Sequence, residues 1–170
     1  MTKEFRTLAA PETVRETIAG LDLGGGVEHV DLRNARDRVL AKRVDAAIDV
    51  PGFDRAAMDG YAVQASDTVG AGEGDPAVLD LAGTGHAGEK PAVTVEPDTC
   101  VEISTGAVMP PGADAVVVVE RTDETEADAG EDTASDDTAI EIRTAVAPSE
   151  DVLLAGAHIV AGARALGPGA

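Results

Sequence analysis

Residues 51–63 read P-G-F-D-R-A-A-M-D-G-Y-A-V, and the fold turns on how this stretch is read. The whole chain has one Tyr, two Phe and three Met. Tyr61, Phe53 and Met58 all fall here, interleaved with Asp54 and Asp59. Pro51 fixes one backbone angle and Gly60 tolerates positive φ, so a rigid turn is expected before a strand beginning at Tyr61. A carboxylate at such a strand entrance, Asp59, has little backbone freedom and suits a metal ion or a polar ligand. The same residues also read as a small local core with turn aspartates, because Asp-Gly is a common turn pair.

Downstream, the pattern is short apolar runs separated by Gly, Pro and Asp. Strands are expected at 61–64, 77–82, 92–95, 100–104, 115–119 and 140–144, a spacing that suggests a small β-barrel or sandwich. The run Val116-Val117-Val118-Val119 reads as a strand buried on both faces. Residues 123–138 are acidic and hold no large apolar side chain, which predicts a solvated, mobile hairpin tip.

Upstream, Val14, Ile18 and Leu21 recur at helical spacing, predicting a helix over 11–21 with Thr13 and Glu16 as a capping box. A short strand over 27–32, a second helix over 34–43 capped by Asn34, and an extended linker over 45–50 follow. After Val146 the chain becomes apolar again.

Gly83-Thr84-Gly85-His86-Ala87-Gly88 matches the G-x-G-x-x-G pattern of dinucleotide sites. Those sites need a helix to open at the third glycine. Glu89-Lys90-Pro91 follows instead, so a turn or bulge is expected and a Rossmann site is rejected.

The net charge is −19, from 32 acidic and 13 basic residues, and only three of the basic residues are Lys. An acidic, Lys-poor surface stays hydrated at very high salt, where self-repulsion is screened within a few ångströms. A halophilic source and weaker stability in dilute buffer are expected. No basic stripe is present to neutralise phosphates, which argues against nucleic acid. No apolar run approaches the ~18 residues of a membrane span and the N-terminus lacks a secretory segment, so a cytoplasmic location is expected. Cys100 is the single cysteine, which excludes an internal disulfide and a Cys-based metal site; its alternating surroundings predict a buried strand position. His29, His86 and His158 show no ligand spacing.

Pro51, Phe53, Asp54 and Ala57 to Val63 resemble the P-x-F-D-x-S-A-M-D-G-Y-A-V signature of the MoeA family, the molybdopterin molybdotransferases related to the E domains of gephyrin and plant Cnx proteins. Ile103 to Ala107, Pro110, Gly112 to Val117 and Glu120 resemble a second block, I-x-T-G-A-x-x-P-x-G-A-D-A-V-V-x-x-E. Arg38 to Ala41, and Glu150-Asp151 with Gly156 and Gly162, resemble two further segments. Two departures stand out. Ala56 replaces a family serine, and Val146-Ala147-Pro148-Ser149 replaces an arginine-rich approach to Glu-Asp. The resemblance reaches the family's first two domains only. The domain resembling molybdopterin-binding proteins and the small C-terminal β domain lie beyond it, and residues 166–170 read as a linker.

The resemblance implies an α+β, mostly β fold: a β domain II (49–145) inserted into a discontinuous mixed α/β domain I of dimerisation type (1–48 and 146–170). It also implies molybdate insertion into adenylylated molybdopterin with release of AMP and a divalent cation, usually Mg²⁺. Hard cations take oxygen ligands and few protein carboxylates. The family's functional aspartate falls on Asp59, as a cation or molybdate ligand, and its functional threonine on Thr105, beside Gly106. Thr105 also reads as a strand-ending turn residue. Asp54, Met58, Gly60, Tyr61, Asp114 and Glu120 are further cleft candidates; Asp114 reads more readily as a turn former. The family's cleft forms with a dimer partner, so this chain is expected to hold no cofactor tightly and to be inactive alone. A homodimer, a molybdopterin-adenylyl-transferring enzyme and molybdoenzymes are the expected partners. The alternative is a non-catalytic stand-alone docking or dimerisation module; gephyrin-like scaffolding is weaker, with no receptor-binding groove marked in the sequence.

Overall fold

The computed structural model describes residues 9–21, 24–126 and 138–170. The chain divides into two compact units, Arg43–Gly167 and Met1–Lys42 with Pro168–Ala170.

The larger unit is built on strands β1 (Val44–Asp45), β2 (Arg55–Ala56), β3 (Gly60–Val63), β4 (Ala77–Gly85), β5 (Thr99–Ile103), β6 (Ala115–Val118), β7 (Thr122–Glu126), β8 (Thr138–Ile142), β9 (Val152–Leu153) and β10 (Arg164–Leu166). Six form one curled sheet in the order β6-β3-β5-β4-β8-β7. The β4–β5 pair is parallel and the other neighbours are antiparallel. The mostly β architecture expected from the strand spacing is therefore observed.

Strand side chains alternate between faces, and at β3 and β6 both faces are buried. Tyr61, Val63, Leu79, Cys100, Val117, Ile140 and Ile142 pack into one core layer. Ala62, Val101, Ile103 and Val116 form a second with Ala56, Val95 and Ala107. Burying each Leu, Ile or Val stabilises the fold by about 1.5–3 kcal/mol. Val116 and Val117 face opposite layers, as the apolar run predicts, but the strand ends at Val118 and Val119 is half exposed.

Cys100 is fully buried in β5. Burial first, and then Asp80, push its thiol up to about 12, so it stays protonated and inert. Among the described residues, Thr68 is the buried polar side chain of this unit. Its hydroxyl accepts from the Val146 N–H at 3.0 Å and donates to the Ala65 carbonyl at 2.9 Å, so no polar atom is stranded.

Two expectations for this unit are corrected. Residues 92–95 form no strand. Pro91 and Pro97 bracket a segment whose inward residue, Val95, bonds instead to the Pro111 carbonyl and to the Gln64 side chain. The sixth strand of the sheet is β7, which lies in the acidic segment expected to be solvated throughout. It pairs with β8 from Thr122↔Ile142 to Glu126↔Thr138. An acidic edge strand is compatible with a sheet because its charges discourage edge-to-edge pairing. The rest of that segment, 127–137, lies outside the described residues.

The expected linker over 45–50 also has ladder partners. β1 pairs with β10, Ala46 exchanges hydrogen bonds with Gly162 and Ala163, and Val50 bridges Ile159. The Val50–Pro51 peptide is cis.

In the smaller unit, helix α1 spans Pro11–Ala19. It starts through Pro11 at its first position rather than through the expected capping box. Thr13 lies inside the first turn, and its carbonyl accepts from the Thr17 hydroxyl. Gly20 ends the helix two residues before the expected limit. The strand expected over 27–32 does not form; Val27 and Leu32 are exposed and find no ladder. The helix expected over 34–43 is also absent, leaving one 3₁₀ turn at Leu32–Asn34. Asp37 takes a left-handed φ of 63°, which an α-helix cannot propagate through. The segment instead closes on the chain's far end, where Leu40 and Gly169–Ala170 exchange backbone hydrogen bonds.

Candidate functional site

β3 and β5 run antiparallel with Gly60 opposite Ile103. The residue before β3, Asp59, therefore lies beside the residues that follow β5. Those residues form a tight turn closed by the Ala107 N–H on the Ser104 carbonyl at 2.9 Å. Gly106 sits third in this turn at φ 85°, the geometry of a type II turn, and a side chain there would strain the backbone. Thr105 occupies the second position and points both its donors at one acceptor. Its backbone N–H reaches Asp59 Oδ1 at 2.6 Å and its hydroxyl reaches the same oxygen at 2.7 Å. Gly60 is needed for this register, since a Cβ there would overlap the Val117 carbonyl oxygen across β6.

These two hydrogen bonds, the backbone one first, hold the Asp59 carboxyl below the usual carboxylate range. Asp59 is thus an anion at neutral pH. It suits a cation ligand or a fixed negative charge, and it does not suit a general acid. Both donors of Thr105 are taken by Asp59, so the expected offer of Thr105 N–H and O–H to an anion is not made in this arrangement. Among the described residues no hydrogen bond reaches Asp59 Oδ2, which leaves one oxygen for a ligand.

The other sequence candidates separate by location. Glu120 is exposed in the 3₁₀ turn Val119–Arg121, and the Val119 N–H donates to the Asp59 carbonyl at 3.2 Å, which puts Glu120 at the same end of the β3–β6 pair. Met58 and Phe53 are half exposed, so they do not form the local core that was one reading of this stretch. Tyr61 does the opposite and is 6% exposed in a core layer; burial, then Glu124, Glu102 and Cys100, push its phenol up. Asp54 and Asp114 are spent on the backbone. Asp54 Oδ1 accepts from the Ala155 N–H and Asp114 Oδ1 from the Ala65 N–H, both at 2.7 Å.

Asp151 and Ala56, which the sequence marks only as part of a family segment and as a departure from one, fasten this loop. Asp151 takes the Ala57 N–H on its carbonyl at 2.8 Å, and Ala56 is held on both sides by Gly106 and Ala107. Asp49 Oδ1 accepts from the Ala161 N–H. The available signal was the row of Asp and Gly at 149–162, which marks left-handed and capping positions. Ser149, Asp151, Gly156 and Gly162 all have positive φ.

Among the described residues no group of three or more His, Cys, Asp or Glu side chains could hold a metal ion. Asp59 alone fits Mg²⁺ in one way, as a single carboxylate of a shared site. Mg²⁺ is commonly bound by one or two carboxylates with waters and substrate phosphates. No described helix is long and apolar enough to cross a membrane.

Comparison with known proteins gives this arrangement a context. The profile of the MoeA N-terminal region (domain I and II) matches residues 8–170. A molybdopterin molybdenumtransferase of Nostoc sp. is 36% identical over 146 residues, which is 86% of this chain and 31% of that protein. Molybdopterin molybdenumtransferase 2 of Mycobacterium tuberculosis is 38% identical over 137 residues, 81% of this chain and 31% of that protein. The crystal structure of a molybdopterin biosynthesis moeA protein from Pyrococcus horikoshii OT3 superposes with a TM-score of 0.72 at 33% identity, over 84% of this chain and 35% of that one. The chain thus spans about a third of the length of these relatives. It belongs to the MoeA family, a family of molybdenum cofactor biosynthesis, and corresponds to its N-terminal region.

Proposed function

We propose that this chain supplies one wall of a molybdopterin molybdotransferase site, in which molybdate is inserted into adenylylated molybdopterin and AMP is released. The observation that carries this is the Asp59–Thr105 clasp. A carboxylate is held ionised at the start of an interior strand by both donors of one threonine, with a second oxygen left over. Asp59 would contribute one oxygen to a Mg²⁺ shared with substrate phosphates, and the ion would neutralise their charge. Thr105 would act as a positioning residue, fixing the orientation of Asp59. Glu120 and the half-exposed Met58 and Phe53 would border the substrate. The remaining wall would come from a cofactor-binding domain of a dimer partner, with domain I over 1–48 and 146–170 and domain II over 49–145.

Molybdate-dependent AMP release, measured after combining this chain with the C-terminal two-thirds of a relative, tests this reading. Activity from the mixture, absent from either part and abolished by Asp59→Ala, is expected. A mixture as active with Asp59→Ala as without it refutes the assigned role.

A second reading, a non-catalytic docking or dimerisation module, is favoured by α1. Its Val14 and Ile18, and Leu21 just beyond its end, are between 44% and 55% exposed. Sedimentation equilibrium decides it: a dimer that Ile18→Asp disperses supports the module, and a monomer at all concentrations opposes it. We also propose a halophilic setting, because the charge of −19 is matched by few ion pairs among the described residues. A melting temperature that rises by many degrees between dilute and multimolar salt is expected; an unchanged one counters the proposal.

A further inference from the structure

The glycine pattern rejected as a dinucleotide fingerprint lines a small, open groove of about 40 Å³. Its walls are Thr84, Gly85, His86, Glu89, Lys90 and Val108, with Pro91 and Ala92. The groove lies at the C-terminal ends of β4 and β5, the parallel pair of the sheet, where Gly85 is in register with Ile103. A bulge between Leu81 and Gly83 resets the register just before the groove. A second tight turn closes it, with the Glu89 N–H on the His86 carbonyl at 3.2 Å and Gly88 at φ 88°. β5 ends in the Thr105 turn described above, and the Ser104 N–H donates to the Gly85 carbonyl at 3.1 Å. The groove and the Asp59–Thr105 clasp are thus joined through one backbone hydrogen bond.

The groove's charges run against those of the chain. In a protein of net charge −19 with three lysines and three histidines, Lys90 and His86 both line this groove. Neither makes an ion pair among the described residues. Beside them stand a hydroxyl, Thr84, and a carboxylate, Glu89. Lys90 offers three donors, and His86 and Thr84 add more. Glu89 opposes a bare dianion but accepts a hydrogen bond from the hydroxyl or N–H next to a phosphate on an organic ligand.

We infer that the His86–Lys90 groove is a binding site for a phosphoester, with the phosphate on Lys90, His86 and Thr84 and a neighbouring donor group of the ligand on Glu89. This goes beyond the molybdotransferase reading and does not depend on it, because binding is read without turnover.

The test is an NMR titration of the ¹⁵N-labelled chain with adenosine monophosphate and, separately, with inorganic phosphate at constant ionic strength. Saturable shifts are expected at the amides of residues 84–90 and Val108, with AMP binding more tightly than phosphate. Lys90→Gln should weaken AMP about tenfold, the effect of one charged hydrogen bond. Glu89→Gln should narrow the preference for AMP over phosphate. The spectrum of each variant shows directly whether it is folded. Shifts that are scattered or never saturate, AMP binding unchanged by Lys90→Gln, or phosphate binding more tightly than AMP would each overturn the assignment.

Discussion

β6 and α1 carry the same kind of side chain to opposite ends. Val116 and Val117 of β6 are fully buried, one in each core layer of the sheet. Val14 and Ile18 of α1 sit at ideal helical spacing and remain half exposed, and α1 buries no residue. Apolar periodicity therefore forecasts an element without forecasting its burial. In the sheet, each apolar residue is opposed by two hydrogen-bonded neighbours and a facing layer. A nine-residue helix has no such neighbours by default, and on its own would be marginal in water. The stability of the described structure accordingly resides in the Arg43–Gly167 unit.

The strongest way to break that comparison is at the centre of the sheet. Gly60→Ala places a methyl group against the Val117 carbonyl, which is backbone and cannot swing aside. A loss of about 3 kcal/mol or more is expected in denaturant unfolding; a near-wild-type midpoint would mean that β3 and β6 are not so close. Next in size, Ile140→Val removes one methyl from a fully buried site and should cost about 1 kcal/mol. A smaller effect concerns the clasp. Because the Asp59 pKa is depressed in the folded chain, its stabilisation is present above the unfolded value of about 4 and is lost as pH falls below it. Wild-type protein should therefore lose stability on acidification below pH ~4 more steeply than Asp59→Asn; parallel curves would show that the clasp is not formed. The smallest expected change is in α1, where Ile18→Ala should alter unfolding by no more than about 0.5 kcal/mol. A larger loss there would mean that the helix is covered, and the contrast with β6 would fall.

Much of the β unit could be read in the chain because its signals are short-range and redundant. The alternation in Cys100-Val101-Glu102-Ile103, the valine run and the Asp-Gly turn each specify a strand or its end, and the neighbours agree. Asp59 stands out by its turn at a strand entrance and by the family resemblance, Thr105 by the resemblance alone. That one carboxylate oxygen takes both donors of Thr105 follows only from the antiparallel register of β3 and β5, which no local pattern encodes. Tyr61 shows the limit in the other direction. Beside two aspartates it read as a cleft residue, but strand alternation turns it into the core. The errors fall where pattern was thin. Residues 34–43 hold adjacent rather than helically spaced apolar side chains, and Asp37 breaks the helix with a left-handed φ. β7 has no apolar alternation at all, and its strand character comes from pairing with β8.

The central claim is that the charge of Asp59, and not merely its grip on the Thr105 turn, serves the reaction. Asp59→Asn separates the two, because its side-chain carbonyl can still accept from the Thr105 N–H and O–H while the negative charge is gone. The decisive measurement is molybdate-dependent AMP release by the combined N- and C-terminal parts carrying Asp59→Asn, alongside the melting temperature of the variant at neutral pH. A folded variant with activity lost by about a hundredfold or more, the scale on which a fixed charge at a reacting centre acts, is the predicted result. A folded variant with wild-type activity would contradict it and would leave Asp59 as the cap of a turn.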